Sequence, residues 1–154
     1  MKRSPALSKL ITLARTARKK IEALSQVESG PAHLQGYCGI AARYIELLAS
    51  KESISPDLVV GHFRSYNRIL NEYCWRAGHC WIEYDGYIID LTATQFRNVI
   101  TKIDRDFSKK VYISRNNNPH YYKEAIGNDA LDIVRSWYCE PLEEICAKVD
   151  DVAS

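Results

Sequence analysis

The chain has 154 residues, 46% hydrophobic and 26% charged, with 21 basic against 19 acidic side chains. This is enough chain for one domain that buries its own core without disulfide or metal staples, and it is too apolar to be disordered. A net charge of +2 does not demand a nucleic-acid partner, and no apolar run approaches the roughly 20 residues that span a bilayer.

Ser4-Pro5 opens a helix with a capping hydroxyl and a first-turn proline. Leu7, Leu10, Ile11, Leu13, Ala14, Ala17, Ile21 and Leu24 recur at helical spacing and predict an amphipathic helix over 5–26, closed by Ser29-Gly30-Pro31. Residues 1–30 hold seven basic and two acidic groups. The basic start has neither a long apolar centre nor a small-residue cleavage site, so it does not read as a signal peptide, and a cytoplasmic protein is expected. Its basic face is a candidate docking surface for a partner, but aromatics are not interleaved with the charges as single-strand nucleic-acid binding needs.

A second helix fits Cys38 to Ser50, with Ile40, Ala41, Tyr44, Ile45 and Leu48 on one face. Leu58 to Phe63 reads as a short β-branched strand, although Ser55-Pro56 leaves a helix start open there. Residues 79–84 and 87–91 form a hairpin signal around Asp85-Gly86. Lys110 to Ser114 is a further strand candidate, and Asn116-Asn117-Asn118-Pro119 marks a loop. Helices are predicted over 128–139 and 141–149, broken by Pro141, in a tail with seven acidic and two basic groups. The order implies an α+β domain over 1–154: an N-terminal helix, a core over about 35–115 holding an antiparallel sheet, and C-terminal helices over about 128–149.

Five cysteines (Cys38, Cys74, Cys80, Cys139, Cys146) make an odd set without a CxxC pair, which points to reduced thiols rather than a disulfide scaffold. Cys139 and Cys146 are seven apart and share a core-facing side if their helix is continuous. Cys38 falls where the second helix begins. There the positive end of the peptide dipoles favours a thiolate, the nucleophilic form of the side chain. From its own segment Cys38 reads more readily as a small buried apolar residue, as most free cysteines are.

The hairpin supplies what a nucleophile needs. With a two-residue turn at Asp85-Gly86, Tyr84 pairs with Tyr87, Glu83 with Ile88, Ile82 with Ile89, Trp81 with Asp90 and Cys80 with Leu91. Side chains alternate, so His79 and Asp90 share a face as diagonal neighbours about 7 Å apart at Cα. A slip of one residue would separate them. Cys80, Ile82, Ile89 and Leu91 would face the core, and the second helix would present Cys38 on the other face, beside His79 and Asp90. The carboxylate would orient the imidazole, and the imidazole would take the thiol proton. A zinc site from Cys38, Cys74, His79 and Cys80 is a rival, weakened because adjacent strand residues point to opposite faces. A binding module without catalysis is the other rival.

His79-Cys80-Trp81-Ile82-Glu83, a turn, then Ile89-Asp90-Leu91-Thr92 resembles the H-x-W-x-E … D-x-T pattern of transglutaminase-like cysteine enzymes. Val59-Val60-Gly61-His62-Phe63 is similar to the strand before that histidine, and Gly36-Tyr37-Cys38-Gly39 to the nucleophile at a helix start. The resemblance covers residues 35–96. It implies a papain-like core with Cys38 as nucleophile, His79 as general base and acid, and Asp90 as orienting carboxylate. It further implies a protein or peptide substrate. The group includes peptidases, protein-glutamine deamidases, transglutaminases and leader-peptide proteases. The chain is too short for the extra domains of the large animal transglutaminases, and calcium dependence is not implied. Hydrolysis is expected over amine transfer, because a small open domain has little with which to exclude water. No cofactor or metal is expected. Gln35 is a candidate oxyanion donor or a plain loop residue, Tyr37 a candidate groove residue, and Trp81 a groove candidate or a shield over the His–Asp pair. Thr92, Gln95 and Phe96 are read as support for the site.

Overall fold

The computed structural model describes residues 3–29, 34, 36–67, 69–96 and 109–152, except the side chains of 29, 66, 67 and 74–76. Helix α1 (Pro5–Ser29) and helix α2 (Cys38–Lys51) lead into strands β1 (Asp57–Asn67), β2 (Glu72–Tyr84) and β3 (Tyr87–Asp90). A 3-10 turn (Ala93–Phe96), strands β4 (Tyr112–Arg115) and β5 (Tyr121–Ile126), and helices α3 (Asn128–Ser136) and α4 (Leu142–Asp151) follow. The strands make one antiparallel sheet in the order β4-β3-β2-β1-β5. The domain is therefore α+β. No helix among the described residues is long and apolar enough to cross a membrane.

Local chemistry accounts for the elements. The Ser4 hydroxyl accepts the Leu7 N–H at 3.1 Å and caps α1. The periodic leucine–isoleucine–alanine stripe of α1 is buried along its length. Nothing before Gly30 opposes helix, so α1 runs three residues past the predicted end. Asp85 (φ 52°) and Gly86 (φ 79°) both adopt the left-handed region that a tight two-residue hairpin turn requires.

The sheet buries both faces. Leu58, Val60, Cys80, Ile82, Ile89 and Leu91 pack beneath a helical layer from α1 to α4. The alternate residues Val59, Phe63, Trp81 and Ile88 join Ala93, Phe96, Tyr112 and Tyr121 in a second, aromatic-rich core. Only a curled sheet can close that core. Tyr112 and Tyr121 lie on opposite edge strands, yet their rings stack with centroids 6.0 Å apart.

Several expectations need correction. β1 extends to eleven residues because both β2 and β5 pair with it. β5 was not predicted. As an edge strand with only Tyr121 fully buried it lacks the alternation that marks a half-buried strand, and it carries the sheet past residue 115 to Ile126. α3 stops at Ser136 rather than 139, and Pro141 stands at the start of α4. Cys139 is consequently exposed between helices, while Cys146 is buried in α4; no common helix face links them.

Gly61 marks where β5 presses hardest on β1. A Cβ there would lie 1.9 Å from the Tyr122 carbonyl oxygen, beside a register shift in the β1–β5 ladder. Gly61→Ala must push that backbone away. We expect it to lower stability by about 2–3 kcal/mol, read from the urea midpoint.

Candidate active site

β2 and β3 bring His79 and Asp90 together. The ladder has the predicted register through Tyr84–Tyr87, Glu83–Ile88 and Ile82–Ile89. It ends there, short of the expected Trp81–Asp90 and Cys80–Leu91 pairs. The Asp90 carboxylate takes the Thr92 N–H at 2.9 Å, an aspartate turn that bends the chain out of the strand. His79 Nε2 and Asp90 Oδ2 are 2.6 Å apart, with the two side chains 0% and 1% exposed.

Asp90 is held from several sides. Tyr121 donates its hydroxyl to Oδ2 at 2.7 Å, while Oδ1 accepts the Thr92 N–H and, at 3.4 Å, its hydroxyl. Gln95 in turn donates to the Thr92 hydroxyl at 3.3 Å. Burial pushes the carboxyl pKa up. The charge and hydrogen bond of His79, the Tyr121 hydroxyl and the Thr92 N–H outweigh it, so the pKa lies below the usual value. Burial likewise disfavours a charged imidazole, but Asp90 first and Cys38 second raise His79 to about 10. Aromatic rings wall the imidazole, with Phe96 edge-on at 4.7 Å and Trp81 tilted at 5.9 Å.

The carboxylate can only accept, so Nε2 carries a proton and Nδ1 is the nitrogen left for chemistry. Nδ1 is buried and has no partner of hydrogen-bond geometry among the described residues. Cys38 nonetheless bears on the charge of His79 through both proximity and hydrogen bonding. The thiol lies near the imidazole without meeting hydrogen-bond geometry at Nδ1.

Cys38 is the first residue of α2 and 8% exposed. No acidic side chain sits in the first turn of α2, and Tyr37 makes no side-chain cap. The body of α2 lies on the Cys80–Ile82 face of the sheet, opposite Trp81, and not on the His79–Asp90 face as expected. The apolar stripe of the hairpin needs the helix as its cover, and Cys38 at the N-terminus of α2 bears on the charge of His79.

Comparison with protein-family models, curated proteins and solved structures finds no match to this chain.

The remaining candidates fall in different places. Tyr37 donates its hydroxyl to Glu28 at 3.0 Å and, with Gly36, Ile40 and Tyr138, lines a cleft of about 240 Å³ next to Cys38. Trp81 is 1% exposed and its indole N–H is committed to Glu83 at 3.0 Å, so it is packed against His79 rather than lining that cleft. Gln35 lies outside the described residues. Cys80 faces the helical layer and His79 the aromatic core, and no group of three or more His, Cys, Asp or Glu is arranged for a metal among the described residues.

Two contributors escaped the sequence reading. Tyr121 belongs to the unpredicted β5; a Tyr-Tyr pair straight after an Asn–Pro loop was its only signal. Arg18 was counted among the basic charges of the first helix, yet it is buried. It donates to the Leu91 carbonyl at 2.6 Å and to Thr94 at 3.0 Å, tying the turn after Asp90 to α1. Tyr121→Phe keeps the ring and removes one bond to a charged acceptor. It should cost about 1.5–3 kcal/mol and start acid unfolding at a higher pH, followed by circular dichroism.

Proposed function

We propose that this chain is a cysteine-dependent amide hydrolase, a peptidase or protein-glutamine deamidase, with a papain-like core of transglutaminase-like type. The observation that carries the reading is the buried His79–Asp90 pair, whose Nδ1 has no hydrogen-bond partner among the described residues and lies close to a cysteine at a helix start. A buried imidazole that left one nitrogen unsatisfied for packing alone would lose free energy for nothing.

The mechanism follows from these positions. His79 Nδ1 holds the Cys38 proton in a thiolate–imidazolium pair, and the Sγ thiolate attacks the carbonyl carbon of a carboxamide or peptide bond. The tetrahedral intermediate collapses, Nδ1 returns the proton to the leaving amine or ammonia, and a thioester remains. Water then attacks the thioester, giving one proton to Nδ1, and the acid departs as the thiolate is regenerated. Asp90 stays ionised throughout and steadies the imidazolium. The Cys38 backbone N–H and the Gln35 amide are the proposed oxyanion donors. The substrate is a protein or peptide; no cofactor takes part.

The test is incubation with a peptide library containing glutamine, read by mass spectrometry for cleaved bonds and for amide-to-acid conversion, with Cys38→Ala as control. Either product, absent in the variant, supports the reading. Amine-linked product in the presence of lysine would assign acyl transfer instead. Turnover that survives Cys38→Ala sinks the proposal.

A further inference from the structure

We infer that Tyr138 is a positioning residue for the nucleophile: its hydroxyl bridges the backbone on both sides of Cys38 and holds the thiol against His79. The inference rests on the reading of Cys38 as nucleophile and adds a part of the site contributed by the C-terminal segment.

The bridge is defined by two contacts. Tyr138 donates its hydroxyl to the Gly36 carbonyl at 2.9 Å and accepts the Ile40 N–H at 3.3 Å. Those residues stand two before and two after Cys38. The first N–H groups of a helix have no partner within it, and here one is satisfied by a phenol far along the chain. Gly36 has φ +85°, a left-handed bend immediately ahead of the nucleophile whose carbonyl needs an anchor. The ring has a seat made for it. A Cβ on Gly39 would lie 2.7 Å from Val134 Cγ1 of α3, 2.9 Å from the Tyr138 oxygen and 3.0 Å from its Cε2, so glycine after Cys38 lets both α3 and the phenol close on the helix start.

The chain between α3 and α4 is shaped accordingly. Helical pattern continues past Ser136, but the helix stops there, and the following turn delivers Tyr138 to α2. Burial, and then the charge of Cys38, push the Tyr138 hydroxyl up, so it remains a neutral donor over the working range. Loss of the oxygen alone would leave the ring packed while freeing the Gly36 carbonyl and the first turn of α2. A displacement of about 1 Å at a reacting atom costs up to about a hundredfold in rate.

The experiment measures iodoacetamide alkylation of Cys38 from about pH 5 to about pH 10, peptide by peptide, in wild type, Tyr138→Phe, Gly39→Ala and His79→Ala, with urea midpoints alongside. Cys38 in Tyr138→Phe should react about tenfold more slowly near pH 6 and near the wild-type rate at the alkaline end, where any thiol ionises unaided. Gly39→Ala, whose Cβ presses on Val134 as well as on the phenol, should do the same with a lowered urea midpoint. A Tyr138→Phe profile that superimposes on wild type overturns the inference. So does a drop of one constant factor at every pH, which would mean lost access or folding rather than lost alignment. If His79→Ala leaves Cys38 as reactive as in wild type, the nucleophile reading itself fails and takes this role with it.

Discussion

His79→Ala should slow iodoacetamide labelling of Cys38 near pH 6 by about tenfold, while the exposed Cys139 is labelled at an unchanged rate. A free thiol is only about 0.3% ionised at that pH, and a neighbouring imidazolium favours the reactive thiolate form by its charge. Most of that gain does not reach the rate, since a stabilised thiolate is intrinsically less nucleophilic, and about tenfold survives. The partner is available because Asp90 holds His79 protonated well past neutrality, with a pKa of about 10. Charged or polar groups close to the contact are Asp90 on β3, Cys80 on β2 and Tyr138 after α3. Mass spectrometry of each cysteine peptide reads the result. Equal rates for Cys38 in the two proteins would show that no thiolate–imidazolium pair forms in the free protein.

Asp90→Ala should be the most damaging substitution to the fold. It strands a fully buried imidazole and removes the acceptor of Tyr121 and Thr92. Deleting one partner of a buried ion pair costs about 3–5 kcal/mol, a large part of a domain's net stability. The pH dependence has a definite sign. His79 is raised from 6.5, so its contribution is complete below that value and fades as pH climbs through about 10. Asp90 is lowered from 3.8, so its contribution is present above that value and is lost as pH falls through its folded pKa. The stability gap between wild type and Asp90→Ala should therefore be widest between those two unperturbed values. It should narrow toward strong acid and above neutrality. Urea unfolding across that range measures it, and a gap independent of pH would mean that the pair is not ionised in the native state.

Much of this site is legible in one dimension. Asp85-Gly86 specifies a two-residue turn, the turn sets the register, and side-chain alternation then puts His79 and Asp90 on one face. Those are local rules acting over a dozen residues, and the 2.6 Å contact is their consequence. The helix start at Cys38 is local too, as is the burial of Cys80, Ile82, Ile89 and Leu91 in the core.

What the sequence by itself did not determine depends on segments distant along the chain. Tyr121 reaches Asp90 only because the sheet curls until its edge strands meet, and curl is a property of five strands together. Arg18 turns inward because the carbonyl of Leu91 happens to face α1. Tyr138 ends a helix early to satisfy the backbone around Cys38, a gain in hydrogen bonding that outweighs three more residues of helix propensity. The side of the sheet on which α2 lies was misjudged for the same reason. A strand buried on both faces offers two apolar surfaces, and only the packed whole decides which one the helices cover and which the sheet encloses.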